Sequence, residues 1–491
     1  MRRRQVLLAG SAAAVLLGTG WSAQAAPAAT TASPGATPVA ASAAAVGVAS
    51  SFGRAIAVPG LETLNTGRKA EVLSVSCAAA GSCAAGGYYQ NHGKHGFVVS
   101  EGNGRWRHAI EVPGLKALNK GGSQVSAVSC ASAGFCAAGG YYGNHSRNPY
   151  DVITGRGFVV SERNGRWHRA VEVPGLGALN RGGNAEVSSV SCASRGYCAA
   201  VGFYTDSGSH QQGFVAVEQS GVWGKAVEVP GLGALNTGGS AEVGSVSCVS
   251  PGNCAAGGYY DARAAGTAGH QLAFVVSEQK GSWGTAQQAA ANLSTGPGGP
   301  AFVDSVSCGS PGNCAAGGEF NDASGGAPAS YQAFVISEVN GTWAAARAVA
   351  GTLSCCGGAV VTAVSCASAG NCAAGRQFDY GGYNAAFLVN EKNGAWGKLM
   401  YVPGLNKVSR DAYLSSVSCA SAENCAAGGS YDLGVFVAVE RNGVWGKQTT
   451  MPGRQVDGVN TVSCASARSC VAAGSYVGPG PGYSLQGFVT Q

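Results

Sequence analysis

Beyond residue 51 the chain alternates apolar and polar side chains with a period of two, in short runs separated by Gly, Asn, Ser and Pro. That pattern predicts strands joined by tight turns, and helices are hard to find in it. One unit shows the order. Val187–Cys192 reads as strand A, Ala193–Tyr197 as a turn, Cys198–Tyr204 as strand B, Gly213–Glu218 as strand C and Trp223–Val229 as strand D. Pro230-Gly231 then stops the unit.

The unit recurs along the chain, and a repeat overrides the domain count that length alone suggests. Seven copies share an E-x-x-G-x-W turn between C and D: Glu101/Trp106, Glu162/Trp167, Glu218/Trp223, Glu278/Trp283, Glu338/Trp343, Glu391/Trp396 and Glu440/Trp445. Asn-Gly at most of the tips suits a two-residue turn with positive φ at both positions, which sets each Glu opposite its Trp. Glutamates that recur in every complete unit read as structural partners of the tryptophans rather than as catalysts.

The ends of the chain imply closure. The eighth copy has A, B and C and stops without D, whereas Phe52–Pro59 aligns with the D strand at Trp106–Pro113. An N-terminal strand that completes the last unit leaves no free repeat interface. The predicted fold is therefore all-β: an eight-bladed β-propeller of four antiparallel strands per blade over residues 52–491, with seven blades as the alternative.

Cysteine usage supports this frame. Sixteen of the 18 cysteines form eight pairs with one spacing: Cys77/Cys83, Cys130/Cys136, Cys192/Cys198, Cys248/Cys254, Cys308/Cys314, Cys366/Cys372, Cys419/Cys425 and Cys464/Cys470. Each pair would staple A to B, at roughly 2 kcal/mol per bridge in the chain-entropy model. The spacing and the absence of companion histidines argue against zinc. Cys355 and Cys356 are adjacent and suit a vicinal disulfide. All 18 cysteines are thus read as disulfide partners.

Disulfides agree with an exported chain. Arg2, Arg3 and Arg4, the apolar run Val6–Leu17 and Ala23-Gln24-Ala25 read as a signal peptide over 1–25, with a twin-arginine character in Arg3-Arg4-Gln5-Val6-Leu7. Residues 26–51 are rich in Ala, Pro and Thr and read as a disordered spacer. No later stretch is long and apolar enough for a membrane span. The formal net charge is +6, half of it from the three signal arginines, and no Lys/Arg run points to nucleic acid. A secreted, extracellular bacterial protein acting as a monomer is the expectation.

The repeat resembles the Asp-box (BNR) class of propeller: Ser161, Gly165 and Trp167 echo the Ser, Gly and Trp of that box, while Arg163 stands at its Asp. The class includes sialidases and assembly factors, so the resemblance implies a fold more than an activity. The arginine cluster and Tyr/Glu pair of a sialidase do not appear. Cys355-Cys356 also resembles the vicinal disulfide of the eight-bladed quinone-dependent alcohol dehydrogenases, but their docking repeats and calcium ligands do not appear.

Meander order puts the short A–B and C–D turns on one face and the long B–C and D–A loops on the other, where propellers usually bind ligands. Candidate ligand-binding residues there are Tyr89, His95, Tyr142, His145, Tyr204, His210 and Tyr260, whose rings suit stacking and hydrogen bonding to a glycan or protein. Glu319, Arg376 and Asp379 join them because they break the repeat in blades five and six. The V-P-G-L-x-[AT]-L-N loops at Val58–Asn65, Val112–Asn119, Val173–Asn180 and Val229–Asn236 are near-identical, which predicts blade stacking. No catalytic motif, metal site or cofactor is predicted. The expected function is a non-enzymatic module that binds an extracellular glycan or protein through the long-loop face. The rival is a glycan-processing hydrolase or lyase using carboxylates such as Glu319, Asp304 or Asp379. A structural scaffold and a quinone-dependent oxidoreductase are lesser alternatives.

Overall fold

The computed structural model describes residues 52–490 apart from 119–120, 145–153, 264–269, 294–298, 322–330, 350–357, 381, 406–410, 433, 452–455 and 479–483. Eight antiparallel sheets form a ring, and the sheets follow the order A-B-C-D. In blade 3 the strands are Ala185–Ser194, Tyr197–Thr205 and Gln211–Gln219, followed by Val222–Trp223 and Val227–Glu228. The N-terminal strand Ala55–Ala57 completes blade 8, pairing with Leu485–Thr490 through Ala55↔Thr490 and Ala57↔Phe488.

All eight A–B cysteine pairs are bonded, each joining residues that face one another across the ladder, as Cys192↔Cys198 does. The pairing agrees with the spacing, but the cysteines are not part of any accessible site. The strand B partner is buried in every blade: Cys83, Cys136, Cys198, Cys254, Cys314, Cys372, Cys425 and Cys470. Cys248 and Cys308 of strand A are buried as well. The reason is packing: strand B is the middle of its blade, and its cysteine joins the apolar cluster at the seam with the neighbouring blade. Their role is structural, as the spacing predicts. Cys355 and Cys356 lie outside the described residues.

Strand D differs from the single run that the alternation suggests. It is two short pieces, and the register slips by one residue between them: Glu162↔Trp167 is followed by Phe158↔Glu172. The intervening backbone turns towards the next blade. Ala170 N donates to Pro113 O and Ala226 N to Pro174 O, so the near-identical V-P-G-L loop of one blade holds strand D of the next. The glycines of these loops sit at positive φ, 74° at Gly60 and 76° at Gly231, a conformation that other residues resist. The following Leu61, Leu115, Leu176 and Leu232 are buried between blades. In the fifth D–A loop, Asn292 replaces the Pro carbonyl with its side chain, accepting from Ala346 N at 3.0 Å and donating to Ala346 O at 2.8 Å.

The V-S-C signature of strand A closes the ring. Cys130 N donates to Ser76 Oγ of the preceding blade at 3.0 Å, and the same bond recurs around the ring to Cys464 N on Ser418 Oγ. The eighth bond, Cys77 N to Ser463 Oγ at 2.9 Å, joins first blade to last. These bonds cross a sequence separation that no local signal spans. They place the A strands innermost.

Outside this ring runs a second set of clasps. Ser100 Oγ of blade 1 donates to Glu162 of blade 2 at 2.6 Å and accepts from Trp167 Nε1 at 2.9 Å. Ser161 holds Glu218 and Trp223, and Ser337 holds Glu391 and Trp396, in the same way. Six of the seven repeated glutamates are therefore buried structural partners, as their recurrence predicts, while Glu101 is half-buried. Blade 3 breaks the pattern: Val217 stands at the serine position. Tyr197 OH then holds Glu278 at 2.9 Å, and Trp283 Nε1 is buried with no partner. Beside it lies an open cleft of about 300 Å³ lined by Val215, Val217, Val222, Val227 and Trp283.

The clasps set two expectations for stability. Val217→Ser supplies the missing acceptor to Trp283 and should raise stability by about 1 kcal/mol, read as a higher Tm by calorimetry. Burial lifts the carboxyls of Glu162, Glu278, Glu338, Glu391 and Glu440 above the usual carboxylate range, against the opposing pull of the hydrogen bonds they accept. A native carboxyl that binds its proton more tightly than the unfolded one favours folding at low pH, and that contribution is lost as pH rises through the raised native value. Tm should therefore fall as pH rises above the usual glutamate value of about 4.3, and Glu391→Gln should flatten the slope; a Tm that rises instead contradicts the assignment.

Candidate functional site

Near the start of strand A one residue varies while its neighbours hardly change. Blades 1 to 7 carry Glu71, Gln124, Glu186, Glu242, Phe302, Val360 and Tyr413 there, each between a buried small residue and a buried Val or Leu. Across the A–B ladder they face Tyr88, Tyr141, Phe203, Tyr259, Glu319, Gln377 and Ser430. Because strand A starts at the long-loop face, these pairs form a belt around the inner mouth of the ring on that side.

In blades 1 and 2 the belt is a tight polar cluster. Tyr88 OH donates to Glu71 Oε1 at 2.6 Å. The Lys94 ammonium lies 4.2 Å from the Tyr88 ring centroid and donates to Gln124 Oε1 at 2.7 Å. It also reaches Tyr141 OH at 3.4 Å. Burial pushes its pKa below the usual lysine value, and Glu71 opposes that shift. The Tyr141 phenol is pushed up to about 12 by burial and by nearby Glu186.

Further round, the carboxylates are held from the preceding blade. Ser126 Oγ donates to Glu186 at 2.7 Å and Ser188 Oγ to Glu242 at 3.1 Å. Desolvation raises the Glu186 carboxyl, and Glu242 adds to the rise. Aromatic rings follow: Tyr259 meets Phe302 edge-on at 5.4 Å, and Phe302 lies 6.5 Å from Tyr331. In blades 6 and 7, Arg376 Nη1 donates to Thr362 Oγ1 at 2.9 Å, and Asn384 Nδ2 donates to Asp411 Oδ1 and to Tyr413 OH.

Arg376 is sterically exceptional. Its equivalents are Gly87, Gly140, Gly202, Gly258, Gly318, Gly429 and Gly474. A Cβ on any of these would lie about 2 Å or less from a strand A carbonyl oxygen, for example 1.9 Å at Gly202. The strand A bulge between Val187 and Ser189, and its counterparts in the other blades, brings that carbonyl inward. Blade 6 accepts the crowding and gains a guanidinium at the ring mouth.

The sequence-derived ligand candidates fall into two groups. Tyr89, Tyr142, Tyr204 and Tyr260 are buried, each in the apolar cluster at the seam with the preceding blade. Tyr142 OH donates to Glu172 at 2.9 Å and Tyr204 OH to Glu228 at 3.1 Å, both strand D carboxylates. It is the first aromatic of each pair, not the second, that joins the belt. His95 stacks on Tyr89 at 5.3 Å, with Nδ1 3.7 Å from Glu111, and His210 lies 3.6 Å from Asp206 in a tight loop. His145 lies outside the described residues. Glu319 faces Phe302, while Arg376 and Asp379 meet around Tyr413, whose phenol responds to both. Asp304 lies on strand A of blade 5.

Sequence reasoning missed Glu71, Lys94, Gln124, Glu186 and Glu242. The signal was present: one variable position between two nearly constant ones in each strand A. The belt offers donors, acceptors, rings and two cations in a half-buried frame. Among the described residues no group of three or more His, Cys, Asp or Glu is placed to hold a metal, and none of the helices is long and apolar enough to cross a membrane.

No protein family matches the chain, and no curated protein does. Among solved structures it is similar to Chaetomium thermophilum Sqt1, at 11% identity over 85% of this chain and 95% of that one, with a TM-score of 0.47. It is similar to the RRP9 WD40 repeats at 9% identity, over 89% and 97% of the two chains, with a TM-score of 0.40. A PL25 ulvan lyase bound to its saccharide matches at 10% identity, over 82% and 95%, with a TM-score of 0.42. WD40 repeats and a polysaccharide lyase stand side by side in this set, and nothing in it singles out the Asp-box class. What the chain shares with them is the ring of blades.

Proposed function

We propose that this is an exported, non-enzymatic binding module that recognises an extracellular glycan at the long-loop mouth of the ring. The observation that carries the reading is the belt itself: the inner strands keep their small, Val and V-S-C positions nearly constant but vary the residue at the mouth, as they vary the one two places further on. There, hydroxyls, carboxylates, an amide, an ammonium and a guanidinium alternate with aromatic rings. Several are held by hydrogen bonds within or between blades, so they lose little side-chain freedom on binding. Polar groups set among aromatic faces complement a polyhydroxylated ligand. On this reading residues 1–25 direct export, residues 26–51 form a spacer, and the eight disulfides suit an oxidising compartment.

The test is calorimetric titration of the oxidised chain against a panel of neutral, acidic and amino-sugar oligosaccharides. Glu186→Gln and Gln124→Ala should each weaken a bound saccharide by about 1–3 kcal/mol, or roughly 5- to 150-fold in Kd. Binding that survives both unchanged removes the belt from the site. Saccharide turnover would move the assignment to the hydrolase or lyase reading, and binding of a protein but no saccharide to the protein-ligand one. A second expectation concerns Arg376: Arg376→Gly should raise Tm, because it restores the residue the backbone prefers, while weakening the ligand. A lower Tm would mean that the arginine is structural.

A further inference from the structure

A different surface, on the outer rim, separates the first blades from the rest. The exposed basic residues of strand D are Arg105, Arg107 and His108 in blade 1 and Arg166, His168 and Arg169 in blade 2, beside the exposed Ile110 and Val171. Arg54, on the strand that completes blade 8, is also exposed and aligns with His108 and Arg169. The other blades provide an internal control. At the position of Arg105 and Arg166 they carry Val222, Ser282, Thr342, Ala395 and Val444; at that of Arg107 and His168 they carry Gly224, Gly284, Ala344, Gly397 and Gly446. The fold needs no basic residue at either place.

The seam bonds make this surface continuous. Arg107 Nη1 reaches across to Gly165 O at the turn tip of blade 2, at 2.8 Å. His108 lies against Gly60 of the preceding loop, and Arg169 against Gly114. The acidic residues of the same hairpins face elsewhere: Glu162 is buried in its clasp, Glu101 is half-buried, and Glu111 and Glu172 sit at the far ends of their strands beside His95 and Arg156. Among the described residues of these hairpins only Glu162, buried in its clasp, acts on the exposed run, through Arg107.

We propose that the rim of blades 8, 1 and 2 binds a linear polymer carrying repeated phosphate groups. Five arginines and two histidines, with no lysine, favour an oxyanion that the planar guanidinium can grip with two parallel hydrogen bonds. Trp106 and Trp167 are buried beneath the surface, so it offers no stacking platform of the kind that single-stranded nucleic acid uses. The surface is separate from the belt at the inner mouth, and its occupation does not depend on a saccharide there.

The experiment measures binding of inorganic polyphosphate to the oxidised full chain over a salt series. The parent should bind at low salt and lose affinity steeply as salt rises. Replacing four side chains by residues native to other blades, as Arg105→Thr, Arg107→Ala, Arg166→Ser and His168→Gly together, should weaken binding at least tenfold and flatten the salt dependence. The double variant Arg105→Thr/Arg166→Ser, which breaks none of these seam bonds, should weaken it at least threefold, and so guards against a folding defect in the larger set. Lys398→Thr/Lys447→Thr, on blades 6 and 7, should change it less than twofold. Absence of binding by the parent, or an equal loss in the blade 6 and 7 variant, overturns the proposal. Equal or tighter binding of polygalacturonate or of oligo-dT overturns the assignment to phosphate polymers.

Discussion

The bond between each strand A cysteine amide and the serine hydroxyl of the preceding blade is the interaction on which the rest of the ring depends. It is short-range, made of two adjacent residues in every repeat, and it returns on itself after eight steps through Cys77 and Ser463. A buried amide without a partner costs about 1–3 kcal/mol, so a missing step would be felt locally and in both neighbouring blades. The disulfide at the same cysteine ties strand A to the buried cysteine of strand B, so inter-blade and intra-blade constraints meet at one residue. The small side chains that pack between the blades, chiefly Ala and Gly in strand B, let the blades come close enough for these bonds to form.

The outer clasp works by a different balance. A glutamate and a tryptophan from one blade converge on a single serine hydroxyl of the previous one, which donates to the carboxylate and accepts from the indole. Removing a carboxylate from water is costly, and the serine bond offsets only part of that cost. The repeat tolerates this because the tryptophan rings bury apolar area over the seam. Where Val217 replaces the serine, the tyrosine at 197 takes over the carboxylate but not the indole, and a cleft opens beside Trp283.

Against such a regular frame, departures carry the chemistry. The inner belt and the basic rim are both places where the backbone repeats and the side chains do not. They lie on different strands, A and D, and at different radii of the ring. Arg376 shows that a departure has a steric cost, since its equivalents are glycines that leave room for a strand A carbonyl. Arg105 and Arg166 show the opposite case, exposed positions at which the fold accepts nearly any side chain.

Period-two alternation, the Glu/Trp hairpins, the cysteine spacing and the orphan first strand determined an eight-bladed ring closed by Phe52–Pro59, because each is a local pattern repeated often enough to exclude other folds. The stacking role of the V-P-G-L loops was equally legible. Which of two adjacent aromatics faces the core was not. Tyr88 and Tyr89 alternate across a strand, and only the packing of blades side by side decides that Tyr89 enters the seam with blade 8 while Tyr88 joins Glu71 and Lys94. Nor do residues such as Lys94, Gln124 and Tyr141, or Arg54, Arg107 and Arg169, form any run along the chain. The ring brings them together because equivalent positions of successive blades become neighbours in space, a relation that exists only once the repeats have packed side by side.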